Sequence, residues 1–104
     1  MSEDTKNFAG EISASWTAEQ GVAFECARDY ISYLIAIQSK LLARERAKPA
    51  PDADTITRLQ QEQARLSDER RDLKVQDSIA IDRIRKEYGA RLRAWHQQQA
   101  EQNS

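Results

Sequence analysis
The sequence predicts an all-α fold, an antiparallel hairpin of two long helices preceded by a short one, and three observations predict it. The chain of 104 residues holds three glycines and two prolines, too little turn chemistry for the many reversals of a sandwich or barrel. Apolar residues recur along most of it at alternating spacings of four and three, the period of a helix face and not of a strand. Both prolines lie in one segment, Lys48-Pro-Ala-Pro-Asp-Ala-Asp54, which divides the periodic sequence in two. One domain is expected, because two cores would each fall near the lower limit of independently folding size.

In chain order, residues 1–16 come first, with Phe8, Ile12 and Trp16 one turn apart, which predicts a short amphipathic helix near residues 5–14. Thr17-Ala-Glu-Gln20 then reads as a capping box: the Thr17 hydroxyl accepts from the Gln20 amide and the Gln20 side chain reaches back. The first long helix is therefore placed at 17–48. Ala23, Ala27, Tyr30, Leu34, Ile37 and Leu41 form its seam, and Phe24, Ile31, Ile35 and Leu42 broaden it to one side. Residues 49–53 are the turn, since each proline removes a donor and pushes the residue before it out of helical conformation.

Asp52 or Asp54 caps the second long helix, placed at 54–98, and residues 99–104 fray. Its stripe runs Ile56, Leu59, Leu66, Leu73, Ala80, Ile84, Tyr88, Leu92 and Trp95, with Gln63, Arg70 and Asp77 where apolar residues would complete the heptads. Ion pairs at helical spacing, Arg65 with Glu69, Asp82 with Lys86 and Glu87 with Arg91, support the helix weakly. Folding the two arms about Pro51 pairs residues whose numbers sum to about 102, and leaves roughly 20 Å of the longer arm overhanging. The N-terminal segment is expected to cover that overhang. Across the seam, Arg70 is set near Asp29 and Asp77 near Arg28, either as buried pairs or with their charges reaching water along the stems.

Sixteen basic against 17 acidic residues give a net charge of −1, which provides no global attraction to nucleic acid or an anionic membrane. No apolar stretch approaches a membrane span or a secretory leader, and one cysteine gives no sign of an oxidising compartment, so a cytoplasmic protein is expected. Cys26 reads as a small packing residue. His96 has no Cys, Asp or Glu at metal-ligand spacing, and no phosphate loop or paired-cysteine site is present. No catalytic, cofactor-binding or metal-binding residue and no small-molecule substrate is therefore expected.

The feature that asks for a partner is Tyr30-Ile-Ser-Tyr-Leu-Ile-Ala-Ile37, apolar or aromatic at seven of eight positions and hydrophobic all round the helix. A hairpin buries one stripe per helix, and residues 60–78 facing this run supply few apolar side chains. The expected function is therefore a protein-protein interaction module: an adaptor, a secretion chaperone, or a toxin-neutralising or regulatory partner. Its expected interface comprises Tyr30, Ile31, Tyr33, Leu34, Ile35, Ile37, Leu41 and Leu42. Two hairpins joining as a four-helix bundle, or an obligate hetero-complex, would satisfy that surface. The alternative is a nucleic-acid-associated regulator using Arg83, Arg85, Lys86, Arg91 and Arg93, which stand against Glu87 alone in residues 83–93.

Overall fold
A computed structural model describes residues 17–103, and within them the chain is all-helical. Three helices are present: α1 is Ala18–Arg46, α2 is Ala53–Asp72 and α3 is Ser78–Gln102. The short helix expected near residues 5–14 lies outside the described residues.

Helix α1 begins as its sequence requires. The Thr17 amide donates to Gln20 Oε1 at 2.8 Å and the Gln20 amide donates to Thr17 Oγ1 at 3.1 Å, which closes the capping box. It ends at Arg46, ahead of Pro49, with Arg44 and Arg46 in the last turn at the negative end of the helix dipole. Glu45 clips the turn that follows: one carboxylate oxygen accepts from Lys48 Nζ at 2.8 Å and the other from the Asp52 amide at 2.9 Å. Asp52 in turn caps α2, accepting from the Asp54 amide and the Thr55 hydroxyl.

The first arm of the expected hairpin is present, and in the expected register. Gln63 donates to Ser39 Oγ and Arg70 Nε donates to Ser32 Oγ at 2.8 Å, pairs that each sum to 102. Arg70 thus takes a serine and not Asp29. Arg28 pairs with Glu25 at 3.6 Å, while Asp77 has a different task altogether.

The single long helix expected over 54–98 is not observed. Leu73 leaves α2 in an extended conformation (φ −66°, ψ 132°), and Asp77 restarts the chain as the N-cap of α3, accepting from the Ala80 amide at 3.3 Å. The physical reason lies in what an unbroken helix would expose. Tyr88 and Leu92 would stand on the overhang and Ile81 and Ile84 at its root beside the first turn of α1, whereas after the break all four are buried in one cluster with Ala27, Ile31, Leu34 and Leu66. Fully burying side chains of this size is worth about 1.5–3 kcal/mol each. The helical hydrogen bonds given up at the break cost about 0.5–1.5 kcal/mol each, so burial wins.

The result is an up-down-up arrangement with α1 at its centre. Helix α2 runs antiparallel to α1; α3 runs parallel to it, with Gly89 beside Tyr30, and Trp95 and Gln99 beside Arg44. A methyl group on Gly89 would lie 3.2 Å from the Tyr30 ring, a tight contact to which the ring would have to yield by a few tenths of an ångström. Both α2 and α3 pack on α1, and they meet each other chiefly through long polar side chains. Tyr88 donates its hydroxyl proton to Glu69, Arg83 reaches Glu69 at 2.7 Å, and Arg91 reaches Glu62 at 3.4 Å.

Candidate protein-binding face
The eight side chains expected to form the interface are divided by this fold. Ile31, Leu34 and Leu42 are buried within the chain. Tyr30, Ile35 and Ile37 pack against the core from its edge, and Leu41 is half-buried. Tyr33 alone is freely exposed, at 58%. The apolar run is hydrophobic all round because it is covered on two sides by two helices of its own chain. A four-helix bundle of two hairpins would draw on the same run, of which Tyr33 is exposed and Tyr30, Ile35, Ile37 and Leu41 are half-buried.

What remains free is the side of α1 turned away from both α2 and α3. Val22, Cys26, Asp29, Tyr33, Ala36, Lys40 and Ala43 follow one another at alternating steps of four and three, which keeps them in one line along the helix. All are exposed except Cys26, which is half-buried. Val22, at the start of this line, is 70% exposed, and Tyr33 at its middle is 58% exposed. Tyr33 forms a wall of two open depressions. One, of about 840 Å³, is lined by Val22, Cys26, Asp29, Tyr30 and Val75 among others; the second, of about 470 Å³, by Ile37, Leu92, Trp95 and His96. Cys26 and His96 therefore fall in different depressions.

Charge varies along this side of α1. Glu19, Glu25 and Asp29 lie in its first half, and Lys40, Arg44 and Arg46 in its last third. Several are engaged: Glu25 with Arg28, and Arg44 with the Trp95 ring and the Gln99 side chain. Asp29 and Lys40 make no hydrogen bond or ion pair among the described residues. The helix dipole accounts for opposite charges in the first and last turns, but Asp29 and Lys40 stand well inside the helix, where that field has decayed.

The basic cluster of α3 is dispersed by the same fold. Arg83 is bound to Glu69 and Glu87, and Arg91 to Glu62. The Glu69 carboxylate raises the pKa of Arg83, and the Arg65 guanidinium holds the Glu62 carboxyl below its ordinary value. Arg85, Lys86 and Arg93 are left without an ion pair among the described residues. These three are what a phosphate backbone would find. Ile79 is 84% exposed but stands singly in the first turn of α3, which marks no patch.

Among the described residues no group of three His, Cys, Asp or Glu side chains is placed to hold a metal ion, and no helix is long and apolar enough to cross a membrane. Compared with known protein families, curated proteins and solved structures, the chain matches none.

The outer line of α1 was legible in the sequence and missed there. Every side of a helix has positions at four-three spacing, and what sets this one apart is that its exposed side chains include Val22 and Tyr33.

Proposed function
We propose that this chain is a non-enzymatic, cytoplasmic protein-binding module that works through the outer face of α1 and self-associates by it. The observation that carries the reading is the line from Val22 to Ala43 on the central helix, which leaves Val22 and Tyr33 exposed on the side that neither α2 nor α3 covers. Adaptor, chaperone or regulatory roles all use such a face. Burying Val22 and Tyr33 from each of two copies contributes at most about 6–12 kcal/mol, against an association cost of about 4–15 kcal/mol. The two ranges overlap, so the assembly this face supports is a weak, concentration-dependent one.

The test is the solution mass across a concentration series, with Tyr33→Asp alongside. The wild type is expected to rise with concentration from 11.9 kDa toward twice that value. Tyr33→Asp is expected to remain at the lower mass with an unchanged circular dichroism spectrum, because Tyr33 is outside the core. A wild type that stays monomeric at millimolar concentration contradicts the reading. Binding of single-stranded or duplex nucleic acid that is lost on Lys86→Glu with Arg93→Glu would favour the basic surface of α3 instead.

A further inference from the structure
The free line on α1 also specifies how a second copy would lie on it. We propose that two copies pair α1 against α1, antiparallel, in the one register that places Asp29 opposite Lys40 of the second copy, twice, with Tyr33 opposite Ala36 at the centre. This rests on the reading of α1 as the binding face and adds the occupant, the direction and the register.

The argument starts from the spacing. Val22, Asp29, Ala36 and Ala43 are one class of seam position, and Cys26, Tyr33 and Lys40 the other, because the steps alternate four and three. Parallel pairing puts like positions together, so Asp29 would meet Asp29 and Lys40 would meet Lys40. In an antiparallel pair each class meets the other, and the allowed registers differ by one heptad. The register with Tyr33 opposite Ala36 also sets Asp29 opposite Lys40, Cys26 opposite Ala43 and Val22 opposite Ala47. Each larger apolar side chain then meets an alanine, the alternation that lets two helices approach closely. Sliding by one heptad in one direction puts Tyr33 against Asp29 and Lys40 against Val22. Sliding in the other sets Lys40 against Ala36 and leaves Cys26 and Val22 beyond the contact. Only the central register pairs both charges, and these are the two seam side chains left without a partner among the described residues.

Two experiments read this out. In the first, the dissociation constant is measured by analytical ultracentrifugation for the wild type, Asp29→Lys, Lys40→Asp and the double variant carrying both changes. Each single change creates two like-charge contacts and is expected to weaken the dimer at least about tenfold, while the double variant restores it. In the second, Ala43→Cys and Ala36→Cys are oxidised separately and the bridges mapped. Ala43→Cys is expected to link covalently to Cys26 of the second copy. Linkage of Cys26 to Ala36→Cys in preference to Ala43→Cys is the mark of the slipped register and overturns the proposal. A dimer that Tyr33→Asp dissociates but the charge exchange does not rescue leaves the binding face standing and removes this register. A wild type that never dimerises removes both. All the substituted positions are exposed or at the helix surface, so unchanged circular dichroism spectra check that the variants fold.

Discussion
Leu66 and Ile79 are both aliphatic residues on helices, yet one is fully buried and the other 84% exposed, and that difference decides what each contributes. Leu66 sits in the cluster where all three helices contribute side chains, among Ile31, Leu34 and Ile84. Leu66→Ala removes buried atoms and leaves a cavity, so it is expected to cost about 2–5 kcal/mol, read as a lower midpoint in urea unfolding. Ile79→Ala is expected to change stability by less than about 0.5 kcal/mol in the same experiment. Charged residues follow the same logic. Lys48 first, and then the Asp52 amide, hold the Glu45 carboxyl below its ordinary value; the Thr55 hydroxyl and Asp54 amide do the same for Asp52. A carboxyl whose pKa is depressed by folding stabilises the fold above its unfolded-state pKa, and that contribution is lost as pH falls through the folded value. The melting temperature is therefore expected to hold steady from neutral pH down to about 5 and to fall below about 4. Glu45→Gln is expected to flatten part of that acid decline.

Elements were legible where local chemistry alone decides them. The capping box of Thr17 and Gln20, the proline-containing turn and the α1–α2 register all follow from neighbouring residues, and all appear in the structure. The break at residues 73–77 could not be read that way. It contains neither proline nor glycine, and Asp77 fits equally a polar seam position in a continuing helix or the N-cap of a new one. What selects the cap is the burial of Ile81, Ile84, Tyr88 and Leu92 against α1, a tertiary gain that no window of sequence displays. Asp77→Ala is expected to lower stability by about 1 kcal/mol through loss of the cap, with the three-helix fold retained because that burial remains. Thermal unfolding followed by near-ultraviolet circular dichroism, which reports the packing of Tyr88 and Trp95, checks both halves of the expectation.

At the scale of the whole molecule, the path of α3 determines which surface is left for function. Folded back along α1, it turns Ile31 and Leu34 into core, engages Arg44 through Trp95 and Gln99, and draws Arg83 and Arg91 of the basic cluster onto glutamates of α2. The line from Val22 to Ala43 is then the exposed side of the central helix, the side that neither α2 nor α3 covers, and it holds the exposed Val22 and Tyr33. With α2 and α3 as one straight helix, the same sequence would offer a different surface, the apolar run itself.

The most direct measurement of this is the distance between positions 44 and 99. Spin labels would be attached to Arg44→Cys and Gln99→Cys in a Cys26→Ala background, at a concentration below that of association. In the structure these two side chains are within hydrogen-bonding distance, 3.4 Å apart, so a short separation compatible with adjacent labels is expected. A continuous second helix would carry position 99 some 60 Å away at 1.5 Å per residue, and a distance of that order would contradict the account.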